Sequence, residues 1–220
     1  MSAPSAVAPS AVAPSAVADR ERTPYAIAAR ELLRDTLFDA ARHELASRRW
    51  NEVTMAGIAA TAGVSRQTLY KEFGSREHFA QALILREADR FVTAVEGAMD
   101  AHLDDPTAAL LAAFGLFLTV ASEDPLVRAA IAGADEMLPL VTTQGQSLVE
   151  RSSERLHSAI VSRWPQVRSR DAALLAECLV RLAISYATLP AGPAGTTASS
   201  IADLFGPYIE RALSSGGAGG

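Results

Sequence analysis

The segment from Thr54 to Arg76, TMAGIAATAGVSRQTLYKEFGSR, leaves this chain little choice of local geometry. Met55, Ile58, Ala59 and Ala62 recur at the spacing of one helical face, and Thr54 stands where an N-cap hydroxyl satisfies orphan amides. Gly63 follows the last apolar position, where a left-handed backbone needs no Cβ. Val64 is then an apolar plug and Ser65 a second N-cap residue. Two short helices joined by such a three-residue corner make a helix-turn-helix. The second helix turns Val64, Leu69 and Phe73 inward and keeps Arg66, Gln67, Thr68, Tyr70 and Lys71 for its other faces. Those side-chain types read base edges and grip phosphates.

The run AGVSRQTLYKEFGSRE resembles the DNA-binding motif of the TetR family of transcriptional regulators, whose usual form is close to AGVSxxTLYxxFxxKExL. Ile58, Ala59, Ala62, Gly63, Val64, Ser65, Thr68, Leu69, Tyr70, Phe73 and Glu77 stand at matching positions. Arg76 replaces the usual Lys and Phe79 the usual Leu; an arginine can hold a phosphate bidentately where lysine is a point charge. The match is close over residues 54–79 and extends as a helix pattern over about residues 25–213. The resemblance implies that the helix led by Ser65 enters the major groove. Arg66, Gln67 and Thr68 would face bases, while Thr54, Tyr70, Lys71 and Arg76 would face phosphates. It also implies a homodimer on palindromic double-stranded DNA, acting as a repressor that a small effector releases. An activator would use the same groove contacts, and a helical protein-interaction module is the rival that needs no DNA.

Charge distribution agrees with one reading end. The net charge is −5, yet residues 1–90 hold 12 Lys and Arg against 11 Asp and Glu, while residues 91–220 hold 8 against 14. The acidic excess is kept away from the helix-turn-helix. So weak a basic patch implies few phosphate contacts per subunit and a need for two subunits. Arg20, Arg22 and Arg30, in the helix before the motif, are further candidates for backbone contacts.

Residues 4–18 are three copies of PSAVA, in which Pro every fifth residue blocks a continuous helix. The expected organisation is a disordered leader over residues 1–22, a helix-turn-helix domain over 23–74, an effector and dimerisation domain over 75–213, and a flexible tail over 214–220. Thr23-Pro24 offers the first N-cap, and Leu37, Phe38, Ala41 and Leu45 continue an apolar stripe toward Trp50, which plugs the corner. Ser75 caps a long helix. Asp105-Pro106 and Asp124-Pro125 each pair an acidic N-cap with Pro at the first helical position. The helix after Pro106 is apolar on nearly every face and is expected to be buried all round. Further helices span about Gln146 to Trp164, Arg170 to Leu189 and Thr197 to Leu213. No strand alternation competes, so the chain is expected to be all-α with about nine helices.

Helices apolar on two opposed faces need two partners. One is a second subunit: Leu175, Leu179, Leu182, Ile201, Leu204, Phe205 and Tyr208 would form a four-helix interface when doubled, as the family resemblance also implies. The other is a ligand. Phe91, Val95, Phe114, Phe117, Leu118, Met137, Leu138, Trp164 and Tyr186 are large apolar groups able to line a tunnel for a fatty acyl, hydrocarbon or steroid-like effector.

An enzyme is not expected. Cys178, the single cysteine, lies in an apolar helix, and His43, His78, His102 and His157 are scattered without ligand spacing. The chain carries no HExxH, CxxC or phosphate loop, so no catalytic residue, metal or cofactor is expected. No run of about 18 uninterrupted apolar residues points to a membrane. A single cysteine and no secretory signal pattern together suggest a cytoplasmic protein.

Overall fold

A computed structural model describes residues 16–132 and 137–216. In chain order its helices are α1 (Ala16–Leu45), α2 (Met55–Thr61), α3 (Arg66–Phe73), α4 (Arg76–Asp100), α5 (Pro106–Glu123), α6 (Pro125–Ala132), α7 (Leu138–Val141), α8 (Gln146–Arg163), α9 (Ser169–Thr188) and α10 (Ala194–Gly216). A 3-10 turn at Trp50–Glu52 leads into α2, and no strand occurs among the described residues. The fold is all-α. The described helices number ten rather than about nine, the addition being the four-residue α7, which is too short to announce itself by periodicity.

The capping residues do what their chemistry dictates. Thr54 Oγ1 accepts from the Gly57 amide, Ser65 Oγ from Thr68 and Ser75 Oγ from His78, each at 3.0 Å. Asp105 Oδ1 accepts from Thr107 and Ala108, and Asp124 Oδ1 from Leu126 and Val127. Between α2 and α3 the backbone at Gly63 takes φ 69°, and Val64 donates back to Ala59 O at 2.9 Å.

Two expectations fail at the edges of these elements. α1 does not start at Thr23-Pro24; it begins at Ala16 and carries Pro24 inside it. Helix-favouring Ala, Arg and Glu upstream outweigh the amide that proline lacks, so residues 16–22 are helix and not disordered leader. Residues 1–15 of that leader and 217–220 of the tail lie outside the described residues; α10 runs on to Gly216. The second failure is α5. Only about a third of its residues are buried, with Leu111, Leu116 and Val120 exposed along one side. A helix packed against α4, α9 and α10 still has a side left over, and here that side stays apolar.

Two apolar clusters organise the packing. The first joins α1, α2 and α3 through Leu37, Trp50, Val53, Ile58 and Leu69, and continues into α4 through Phe79 and Leu83. Its centre is an aromatic trio in which Phe73 meets Phe79 edge-on at 4.8 Å and Phe38 lies 5.5 Å from Phe73. The second cluster lies between α4, α5, α8, α9 and α10. There α5 and α10 approach closely: a side-chain carbon at Gly115 would stand 3.5 Å from Ala198 Cβ. Ion pairs Arg151–Asp89 (2.6 Å), Arg155–Glu96 (2.8 Å) and Arg163–Asp100 (2.8 Å) lace α8 to α4 along its length.

Candidate nucleic-acid interface and apolar cavity

The turn at Gly63 projects α3 from the first cluster with Leu69 and Phe73 as its buried anchors. Their burial leaves the opposite side to solvent. Thr54, Ser65, Arg66, Gln67 and Lys71 are exposed there, while Thr68 and Tyr70 are half-buried. Arg66 lies over the Tyr70 ring, its guanidinium carbon 5.2 Å from the ring centre. Thr68 Oγ1 and Ser65 Oγ share a hydrogen bond at 2.8 Å, which fixes both hydroxyls at the leading end of α3. Seven polar side chains on this corner thus present donors and acceptors together, as a groove-reading surface requires.

Arg76 is the exception. Its guanidinium turns inward, donating to the carbonyls of Val53 and Trp50 and stacking 4.3 Å above the Trp50 ring. It braces the turn before α2 against the start of α4, so this candidate phosphate contact is engaged within the fold. A planar five-donor fork can satisfy two carbonyls and an indole face at once, which explains why arginine serves here. Arg30 is likewise engaged: its Nε donates to both oxygens of Glu72 on α3, and Arg34 Nη1 donates to the same carboxylate at 2.8 Å. Glu72 therefore sets the angle of α3 against α1. Burial raises the Glu72 pKa, but the Arg34 and Arg30 hydrogen bonds outweigh it and the net shift is downward from 4.5.

A cavity of about 210 Å³ lies within the second cluster. It follows the inner face of α4 from Ile84 to Met99, a path of roughly 22 Å at the helical rise. Of the nine residues expected at an effector site, Phe91, Val95, Phe114, Phe117 and Trp164 line it. Phe91 and Phe117 pack edge-on at 5.4 Å, and Trp164 Nε1 is held by Leu103 O at 2.9 Å. The other four stand elsewhere. Tyr186 supports Phe114 edge-on from behind at 6.3 Å, Leu118 is core, Met137 is fully buried in the first cluster, and Leu138 is half-buried in α7. Periodicity marks a face as apolar without saying which neighbour fills it.

The same limit applies to the expected dimer face. Leu175, Leu179 and Tyr208 line the cavity, and Ile201 is buried beside it. Leu182 and Phe205 are half-buried, and only Leu204 is well exposed, at 69%. The apolar surface that remains open also includes Leu174 on α9 and Leu111, Leu116 and Val120 on α5.

Of the polar groups at the cavity, the sequence singles out Tyr208 as a subunit contact and Asp124 as a helix cap, but not Glu87, Arg42 or Asp171. At one end Glu87 is buried, and its Oε2 accepts from Arg42 of α1. Arg42 also donates to Asp124 Oδ2 at 2.9 Å, so one guanidinium joins α1, α4 and the start of α6. Burial pushes the Glu87 carboxyl above 4.5 against the pull of Arg42. At the other end Tyr208 donates to Asp171 Oδ1 at 3.3 Å, and burial with that carboxylate holds the phenol above 10.0. Glu87 did leave a trace in the sequence: an acid between Ile84 and Phe91, on the inward stripe of α4.

Comparison with known proteins places both halves. Residues 37–83 match the family of bacterial regulatory proteins described as tetR, and residues 105–207 match the bacterial tetracyclin repressor C-terminal domain. The chain is 38% identical over 213 residues, 96% of its length and 97% of the relative's, to the HTH-type transcriptional regulator AlkX of Mycobacterium tuberculosis. Among solved structures, the TetR family repressor AlkX from a Dietzia species, implicated in biodegradation of n-alkanes, superposes with a TM-score of 0.75 at 35% identity, over 82% of this chain and 96% of that one. RolR, solved with resorcinol, shares the fold at a TM-score of 0.54 and 23% identity, over 81% of this chain and 89% of its own.

Proposed function

Because this chain belongs to the TetR family of bacterial transcriptional regulators, we propose that it is a cytoplasmic homodimeric repressor that leaves a palindromic operator when a long apolar effector fills the cavity along α4. It is a DNA-binding helix-turn-helix protein and not an enzyme. The observation that carries the effector reading is a shared element: α4 forms one wall of the cavity and, through Gly74 and Ser75, directly follows α3. A ligand that wedges α4 away from α5 also tilts the helix on which α3 is mounted. It acts to the extent that it binds the tilted state more tightly.

On the reading surface, Arg66, Gln67 and Thr68 would face bases, and Thr54, Tyr70 and Lys71 would face phosphates, with Ser65 at the tip. The open apolar groups Leu204 and Leu174, with half-buried Phe205 and Leu182, support pairing of two subunits through α9 and α10. Two paired heads would then meet half-sites about one DNA turn apart. The apolar walls at Phe91, Val95, Phe114 and Phe117 favour a hydrocarbon-like ligand, in keeping with the n-alkane connection of the Dietzia relative.

The test is selection of fragments of the source genome by the purified protein, followed by titration of the best fragment with long-chain lipids. A palindromic fragment bound by two subunits and released by a lipid is expected. Recovery of unrelated fragments at moderate salt would leave the protein-interaction module as the better reading.

A further inference from the structure

Among the described residues, the cavity wall carries a buried carboxylate oxygen without a hydrogen-bond partner. Glu87 is 4% exposed and lines the wall, its Oε2 accepts from Arg42, and its Oε1 is buried without a hydrogen-bond partner. Arg90 Nη1 stands 3.6 Å from that oxygen, beyond hydrogen-bonding range, on a side chain half exposed to solvent. Ser152 of α8 is buried and lines the same cavity. Its neighbour Arg151 pairs with Asp89 of α4, two residues along the chain from Glu87. Beyond this polar end the wall turns apolar through Phe91, Val95 and Phe117.

Resting on the effector reading above, we infer that the effector is a long-chain alcohol, whose uncharged hydroxyl docks against Glu87 Oε1 and Ser152 while its chain lies along α4. A hydroxyl both donates and accepts, so it fits Glu87 whether the carboxyl is ionised or protonated. A plain alkane leaves Oε1 as unsatisfied as before. A carboxylate adds a third negative charge where Glu87 and Asp124 already share Arg42. The hydroxyl also draws on the carboxylate that holds α1, which puts the ligand head in contact with the DNA-binding half of the molecule.

The experiment uses the full chain, with tetradecanol, tetradecane and tetradecanoate presented from cyclodextrin below their solubility limits. Binding is read from Trp164 emission and release from a selected operator fragment. The alcohol is expected to bind at least about tenfold more tightly than either analogue. Ser152→Ala should remove most of that preference while leaving tetradecane affinity unchanged. Glu87→Gln, which presents an amide donor and one negative charge fewer, should shift preference toward tetradecanoate. If the three ligands bind alike, or the ranking survives both substitutions, the alcohol assignment is overturned and the apolar cavity stands. If none of them alters Trp164 emission or DNA affinity, the effector reading falls and the alcohol assignment falls with it.

Discussion

Arg42 of α1 donates to Asp124 Oδ2 at 2.9 Å, although the two residues are 82 positions apart. Asp124 uses its other oxygen to cap α6, and the Arg42 guanidinium also holds Glu87 of α4. This cluster ties the helix that braces α3 to the wall of the cavity. Beside the Arg86–Asp35 ion pair (2.9 Å), it is a polar contact through which the two halves of the molecule can sense each other.

Glu87 gives that contact a pH signature. Its folded-state pKa lies above the usual 4.5, mainly through burial. The stability linked to this group is therefore fully present below about pH 4.5 and is lost as pH rises through the raised folded value. Glu87→Gln should flatten the fall in that window. Urea midpoints of the two proteins, measured at intervals upward from pH 4.5, check it; parallel curves would show that Glu87 titrates normally.

Arg76→Ala should act on the fold. It leaves the carbonyls of Trp50 and Val53 without that donor and bares the Trp50 ring, so a loss of about 1–3 kcal/mol in urea unfolding is expected. Unchanged stability with uniformly weaker DNA binding would return Arg76 to the phosphate contacts.

Gln67→Ala and Arg66→Ala should relax base preference at single operator positions, each by about 1–3 kcal/mol. Tyr70→Phe should weaken all sequences alike, as expected of a phosphate contact. Binding profiles over an operator library separate the two outcomes, and a profile unaltered by Gln67→Ala would remove that residue from base reading.

Phe114→Trp should fill part of the cavity. Phe114 is 5% exposed, lines the wall and is backed by Tyr186, so a larger ring can expand only into the empty space. Ligand-induced release should be blunted with the dimer intact. Normal release at wild-type ligand concentrations would show that Phe114 does not border the effector.

Local chemistry was readable from the sequence wherever the cause was local. Thr54, Ser65, Ser75, Asp105 and Asp124 announce their helices because an N-cap bonds to amides two or three residues away. Gly63 does the same for the corner. What depends on distant partners was not readable: Leu175 and Leu179 share an apolar stripe with residues that could pair subunits, and only the position of α4 shows that they face a cavity. Arg76 sits in a motif position associated with phosphates, yet Trp50 and Val53, more than twenty residues earlier, claim it. Pro24 reads as a boundary by itself, yet the flanking residues favour helix on both sides and α1 starts at Ala16.

In the proposed function the cavity and the DNA-reading face are linked by one free energy. Linkage requires the effector to weaken DNA binding by the same factor as DNA weakens effector binding. The most direct measurement is effector affinity, read from Trp164 emission with Trp164→Phe as control, in the absence of DNA and at saturating operator. Operator DNA is expected to lower effector affinity by about tenfold or more, matching the factor found in the reverse titration. Effector affinity that is identical with and without operator would contradict it.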